Sequence, residues 1–338
     1  MAERAFAVAI VGATSLIGEE IIRLLGERQF PVGEVRALGS PKTAGRQLEQ
    51  TTIGLVGPDA FRGADFAFFA AGPMVASAHA HDAVRAGAIV VDCSSRYRGD
   101  DGVPLIVPEA NARLLDVAAP TTLVASPSST AVGLSVVLAP LAEAAGLRRV
   151  LVSTYQSAAG AGRRAVEHLS KESIALLSGR GDDDVAMRRA FNCIPQVGTV
   201  EIDGVTSHER SVADEVRKVL ALPELAMHVT AVRVPMFFGM GATVLVELER
   251  PLDRATATTV LRSSRGLIVH DDTDEGVALP TPADVVGSQA THVARLHEDR
   301  SVPHGLALWM ALDSIEKGAA LNAVVPLERT VPGAPTTA

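Results

Sequence analysis

The stretch AFAVAIVGATSLIG, residues 5–18, decides how the first part of this chain folds. Residues 5–11 are a short apolar run that stops at Gly12. From there the period changes: Leu16, Ile17, Ile21, Leu24 and Leu25 recur at the spacing of one helix face. A strand, a tight turn and a helix are expected in that order. Further apolar runs at 34–38, 65–71 (DFAFFAA) and 88–92 (AIVVD), with a helical stretch over 74–86, repeat the alternation. That is the rhythm of a parallel sheet with crossover helices. The first 127 residues therefore read as a doubly wound, Rossmann-type α/β domain.

Beyond residue 127 the pattern changes. A helix is expected over 129–145, then a strand at RRVLVSTYQSA and a longer helix over about 162–178. Strands of antiparallel character follow at 230–236, 242–249, 284–296 and 305–311, with a helix near 254–264. This predicts an α+β second domain on a mixed sheet. A last helix is expected over 312–323, and the tail VPGAPTTA reads as disordered.

With 338 residues, 47% of them hydrophobic and 21% charged, the chain can bury a large core. A net charge of −8 with no basic stripe argues against nucleic acid or an anionic membrane as partner. The N-terminus lacks a cleavage pattern and an apolar span long enough for a membrane, so a cytoplasmic protein is expected. Cys93 and Cys193 stand alone, which excludes a disulfide framework or a CxxC site and leaves both as buried small hydrophobes. The acidic runs GRGDDDV (179–185) and HDDTDEG (270–276) read as solvated loops; the second lacks the spacing of a calcium loop, and no metal is expected.

Gly12, Ser15 and Gly18 form a GxxGxxG-like frame, enclosing Thr14, Leu16 and Ile17. Such a turn lets a pyrophosphate approach a helix N-terminus, where unpaired N–H groups and the dipole favour an anion. It is equally the turn of a strand and helix that bind nothing. At the end of the second strand, where an acidic residue would hold an NAD ribose, stand Ser40, Lys42 and Thr43. Hydroxyls plus a cation suit a 2′-phosphate and so NADP, or form a solvated basic loop. In SPSSTAVG (126–133), Ser129 is either a nucleophile at a helix start or a helix N-cap. A serine nucleophile needs an adjacent base. The histidines offer none: His79 and His81 sit two apart on a helix, and His168, His228, His292, His297 and His304 form no recognisable constellation.

Over almost its full length the chain resembles the aspartate-semialdehyde dehydrogenase family. The resemblance rests on GATSLIG (12–18), SPKTAGR (40–46), VDCSSRYR (91–98), VPLIVPEAN (103–111), TYQSAAGAG (154–162), RVPMFFG (233–239), PTPADVVG (280–287) and GLALWMALDSIEKGAALNAV (305–324). It implies an NADP-dependent homodimer in which residues 1–127 with 312–338 form the dinucleotide-binding domain and 128–311 the substrate and dimerisation domain. In that family a cysteine attacks an acyl phosphate, hydride reduces the thioester, and a histidine handles the proton. The family's Asn-Pro-Asn-Cys-Ser/Thr falls on Ser126-Pro127-Ser128-Ser129-Thr130, so Ser129 takes the place of the thiol; the family's histidine falls on Met240, seven residues after Arg233. A Glu and a Lys of the family fall on His208 and Ser211. Arg98 matches a phosphate-binding arginine, Gln156 a substrate glutamine and Arg233 a carboxylate-binding arginine, while Ala159, Gly160 and Asn322 match cofactor positions. The resemblance thus implies a small carboxylate or phosphate ligand and an inactive, NADP-binding paralogue like the Usg-type homologues. The alternatives are an active dehydrogenase working by another mechanism, and an interaction protein with a relic pocket.

Overall fold

The computed structural model describes residues 5–48, 51–117, 122–180, 187–270 and 279–328. The chain divides into two compact units, Met1–Ser128 with Ala319–Ala338, and Ser129–Gly318. The first is a Rossmann-type α/β unit and the second a mixed α+β unit. The expectations for the acidic loops and the C-terminal tail lie largely outside the described residues, at 181–186, 271–278 and 331–338.

In the first unit β1 (Phe6–Val11) leads into α1 (Leu16–Glu27), followed by β2 (Val32–Gly39), β3 (Gly54–Leu55), β4 (Phe66–Phe69), α2 (Pro73–Arg85), β5 (Ile89–Asp92) and β6 (Leu123–Ala125). The strands pair in parallel in the order β3-β2-β1-β4-β5-β6. Such a sheet needs both faces covered, which is why β1 and β4 are continuous apolar runs. Ile21, Leu24 and Leu25 of α1 are buried against Val8, Ile10 and Phe66, while Leu16 and Ile17 stay half-buried. Val324 and Leu327 of the terminal helix complete the same core.

In the second unit α3 (Ser129–Ala145) is apolar on every side and buried from Thr130 through Leu138, as befits a helix at the centre of a unit. It precedes β7 (Leu147–Gln156), α4 (Arg163–Leu177), α5 (Ser207–Leu220), β8 (Ala226–Arg233), β9 (Met240–Leu248), α6 (Arg254–Arg262), β10 (Leu267–Val269), β11 (Thr291–Asp299) and β12 (Gly305–Leu312). The strands form one six-stranded sheet in the order β8-β7-β9-β12-β11-β10. Helices α3, α5 and α6 pack on one face. Residues at alternate positions, among them Leu151, Tyr155, Leu245 and Trp309, point away from those helices and remain half-buried. No helix among the described residues is long and apolar enough to cross a membrane.

The second sheet is mixed, as expected: β7, β9, β12 and β11 pair antiparallel in turn, while the edge strands β8 and β10 run parallel to β7 and β11. Two other expectations need correction. The strand expected at 284–296 starts at Thr291, because Thr281–Asp284 and Val285–Ser288 close backbone turns before it. The helix expected from 312 begins later, since the apolar run through Leu312 completes β12. Asp313 then accepts the N–H groups of Ile315 (2.7 Å) and Glu316 (3.0 Å) and starts a π-helical segment, Glu316–Leu321, that continues as an α-helix over Asn322–Glu328. Finally, helix α5 is an element the hydrophobic pattern left unassigned. Its signal was a capping box: Thr206 accepts from Glu209 N at 3.2 Å, and the Glu209 carboxylate accepts from Thr206 N at 2.8 Å.

The terminal helix is held to α1 by an ion pair in which Arg28 donates from Nε (2.5 Å) and Nη2 (2.7 Å) to Glu328, with side chains only 9% and 3% exposed. The Glu328 carboxylate holds the Arg28 pKa above its ordinary value. Breaking a buried pair strands the remaining charge, so Glu328→Ala is expected to cost about 3–5 kcal/mol in urea unfolding. Glu328→Gln, which keeps a hydrogen-bond acceptor, is expected to cost less.

Candidate functional site

The first unit ends β1 in a turn built under tight steric constraint. Gly12 has φ +84°, and a Cβ there would stand 2.7 Å from Ala70 O; at Gly18 a Cβ would stand 2.3 Å from Gly12 O. Both glycines are therefore required by the packing of α1 on the strands, whatever the loop binds. Ser15 caps α1, accepting from Gly18 N at 3.0 Å and donating to Ala70 O at 2.9 Å. What this cap leaves over are the N–H groups of Thr14, Leu16 and Ile17, which have no protein acceptor among the described residues. They form the orphan donors of a helix N-terminus, suited to an anion.

After β2 the backbone turns at Ser40, whose carbonyl accepts from Thr43 N and Ala44 N at 2.9 Å each and from Thr43 Oγ1 at 3.2 Å. Ser40 and Lys42 are exposed, and no carboxylate pairs with Lys42 among the described residues. Near the other end of the unit, Asn322 is buried. Its amide nitrogen donates to Ile106 O and Ser126 Oγ, each at 2.9 Å, while its Oδ1 is buried without a partner among the described residues. An orphaned acceptor and three orphan backbone donors fit the carboxamide and pyrophosphate of a nicotinamide dinucleotide.

Arg98 is fixed at the carboxyl ends of the parallel strands, where α/β units bind ligands. Its Nε donates to Ser126 O (3.0 Å) and Nη2 to Cys93 O (3.1 Å). Cys93 is buried and its thiol is pushed up to about 12 by desolvation, so it is no thiolate. Cys193, expected to be buried, is exposed instead.

In the second unit strand register assembles the remaining positions. Arg233 pairs with Gln156 across β8 and β7, and Gln156 with Met240 across β7 and β9. Gln156 Nε2 lies 3.3 Å from Thr130 Oγ1, 3.2 Å from Thr154 Oγ1 and 2.9 Å from His208 Nε2. Thr130 Oγ1 reaches Met240 Sδ at 3.8 Å. The row Arg233, Gln156, Met240 thus meets the start of α3 and of α5 at one end of the sheet. With Gln156 donating, the Nε2 lone pair of His208 is spent on the amide. Ser211, also aligned with the family's site, instead hydrogen-bonds Glu215 one turn along α5.

Ser129 is the first residue of α3, so the cap position belongs to Ser128 and the N-cap reading of Ser129 is displaced by one residue. Its side chain packs where a Cβ on Gly318 would stand only 2.5 Å away. No side chain among the described residues hydrogen-bonds its hydroxyl. Ala159 and Gly160 lie in a 3₁₀ turn, Ala158–Ala161: Ala159 N donates to Phe237 O at 3.0 Å, and a Cβ on Gly160 would stand 3.0 Å from Arg233 Nη1. Gly160 therefore makes room for a guanidinium.

The structure also forms a histidine pair that sequence spacing did not bring together. His270 Nε2 lies 2.9 Å from His292 Nδ1, and Ser288 Oγ lies 2.8 Å from His292 Nε2. Burial and the neighbouring His270 push the His292 pKa down. These side chains make no hydrogen bond with Ser129, Thr130, Gln156 or Met240 among the described residues, and 22 positions separate the two imidazoles in sequence.

This arrangement is that of a two-unit nicotinamide-dependent dehydrogenase scaffold. Residues 7–118 match the family model "Semialdehyde dehydrogenase, NAD binding domain", and residues 138–317 match "Semialdehyde dehydrogenase, dimerisation domain". The chain is 33% identical over 337 residues to aspartate-semialdehyde dehydrogenase of Bacillus subtilis, covering 95% of this chain and 96% of the relative. It is 34% identical over 327 residues to that of Aquifex aeolicus, covering 94% and 96%. Among solved structures, aspartate semialdehyde dehydrogenase II of Vibrio cholerae superposes with a TM-score of 0.91 at 32% identity, over 98% of this chain and 99% of that one. The chain belongs to the aspartate-semialdehyde dehydrogenase family.

Proposed function

We propose that this protein is a nicotinamide-binding member of the family that does not carry out the family's phosphorylating dehydrogenation at an enzymatic rate. The observation that carries this reading is the contact of Met240 Sδ with Thr130 Oγ1 beside Gln156. A thioether fills the position next to the helix start where a proton acceptor would have to stand, and among the described residues no base bonds the Ser129 hydroxyl. A hydroxyl is almost wholly protonated at neutral pH, and an oxyester is a poorer hydride acceptor than a thioester. Both halves of the reaction suffer.

NADP, the cofactor carried by the solved relative from Candida albicans, supplies or accepts hydride when bound. In this chain the N–H groups of Thr14, Leu16 and Ile17 would hold its pyrophosphate, and Asn322 Oδ1 would accept from its carboxamide. Ser40, Lys42 and Thr43 would hold the 2′-phosphate. Arg98, Gln156 and Arg233 keep the means to bind a small carboxylate or phosphate ligand. The helix-free face of the second sheet, with Leu151, Tyr155, Leu245 and Trp309 half-buried on it, is the surface that a second copy would cover, in keeping with the dimerisation domain that matches there.

Phosphate-dependent NADPH formation from aspartate semialdehyde is expected to run on the order of 10⁴-fold or more below a median enzyme of about 10 s⁻¹. Turnover within about tenfold of that median would overturn the reading. Ser129→Cys combined with Met240→His is expected to raise the rate at least about 100-fold, and neither change alone is, because thiol and base act as a unit. In calorimetry NADP is expected to bind, and Lys42→Ala to weaken NADP about tenfold while leaving NAD unchanged; no heat and no thermal shift at saturating NADP would remove the cofactor assignment. Light scattering should report a dimer that Leu245→Glu converts to monomer, and a monomeric unmodified protein would refute the dimer surface.

A further inference from the structure

A second cluster of reactive side chains lies outside the row Arg233, Gln156, Met240, at the opposite edge of the same sheet. β10 and β11 pair in parallel with Ile268 opposite His292, and His270 N donates to Val293 O at 2.8 Å where the pairing ends. Positions two apart in an extended chain share a face, so His270, Ile268 and His292 point to the same side. A turn closed by Ser288 N on Val285 O (3.1 Å) then brings Ser288 Oγ to 2.8 Å from His292 Nε2. The two imidazoles meet through His270 Nε2 and His292 Nδ1, 2.9 Å apart, with ring centroids 5.2 Å apart and 23° between the planes. At that N···N distance two imidazole centroids can stand no farther apart, so the rings meet edge to edge and the N–H points at the lone pair.

The serine fixes the direction of this chain of bonds. Ala290 N donates to Ser288 Oγ at 3.3 Å, so the hydroxyl already accepts, and among the described residues the acceptor its own hydrogen meets is His292 Nε2. A neutral imidazole carries one proton. With its lone pair on Nε2, His292 holds that proton on Nδ1 and donates it to His270 Nε2. Hydroxyl to imidazole to acceptor is the polarity that a serine nucleophile, its general base and the group orienting that base require. Burial, and then His270, push the His292 pKa down, so the ring is a free base at neutral pH. Ile268, exposed and in register with His292, offers an apolar seat for a short acyl chain.

We propose that Ser288, His292 and His270 form an acyl-transfer site that takes esters of short apolar acids with a good leaving group. Ser288 Oγ attacks the carbonyl carbon while its proton passes to His292 Nε2. The ester C–O bond breaks, the leaving alkoxide or phenoxide takes that proton, and an acyl ester on Ser288 remains. Water then attacks this ester and gives a proton to His292, which returns it to Ser288 Oγ as the carboxylic acid departs. Ser288 and His292 touch the reacting atoms, and His270 is a positioning residue that holds the tautomer of His292. None of these steps uses a dinucleotide or Arg233, so the site goes beyond the function proposed above and does not depend on it.

The test treats the full-length protein with p-nitrophenyl acetate, follows release of p-nitrophenol and locates the acetylated residue by peptide mass mapping. A fluorophosphonate serves as a second label. Both groups are expected on Ser288, and Ser288→Ala should lose both. His292→Ala should slow acylation at least about 100-fold. His270→Leu should slow it at least about tenfold, and His270→Gln, whose amide oxygen still accepts from Nδ1, should recover most of that loss. Label confined to lysines or to the exposed Cys193 overturns the site, as does an unmodified protein that takes no label at all. Ser288 labelling as fast in His292→Ala as in the unmodified protein overturns activation by the imidazole. Equal rates in His270→Leu and His270→Gln remove His270 from the relay. Should a substitution at His292 unfold the protein, the residue labelled in the unmodified chain still decides, because an unactivated hydroxyl is a weak nucleophile.

Discussion

Hydrogen-bond register between three strands is the constraint on which the second unit's chemistry depends. Arg233 lies opposite Gln156, and Gln156 opposite Met240, because β8, β7 and β9 pair without slippage at that end of the sheet. A slip of one residue would turn every one of these side chains to the other face. The register is itself held by burial: Val150, Val152, Val244 and Val246 face the helices in the core, and α3 with its apolar surface on all sides fills the space against them. The position of Thr130 beside Met240 and Gln156 is thus a by-product of packing a hydrophobic helix on a sheet.

What stands in that framework is chemically muted at one point and charged at another. Met240 is a core residue, 1% exposed, and a polarizable thioether satisfies the buried site without any proton chemistry. A histidine there would need a partner for each ring nitrogen; methionine needs none. Arg233 meets the opposite condition. It keeps a partly desolvated positive charge, and burial together with the like charge of Arg189 lowers its pKa.

The first unit shows how far a cofactor motif can be explained by packing. Gly12 and Gly18 are required because a Cβ would meet backbone at 2.7 and 2.3 Å. Their presence therefore says little about a dinucleotide. The N–H groups of Thr14, Leu16 and Ile17 left over at the helix start, and the Oδ1 of Asn322, buried with no partner among the described residues, say more, because a buried acceptor without a partner costs free energy that a bound group removes.

Periodicity alone was enough for the Rossmann-type half: the strand at 5–11, the turn at Gly12 and the helix face of Ile21, Leu24 and Leu25 are local patterns, and local patterns survive in a one-dimensional reading. Motif order singled out Gln156, Arg233 and Met240, which strand register sets side by side, and Ser129, at the start of α3. The parallel sheet of the first unit and the mixed sheet of the second were legible; the parallel edge pairs β8–β7 and β10–β11 were not, since apolar runs in a sheet buried on one face look alike whether their neighbours are parallel or antiparallel. Helix α5 escaped because its evidence is a capping box rather than an unbroken apolar stripe, and Asp313, not the hydrophobic pattern, set where the terminal helix begins. Only the tertiary structure joins Arg189 to Arg233, and His270 to His292 and Ser288: these side chains are far apart in sequence and meet because strands and turns converge, so spacing along the chain carries no trace of the contact.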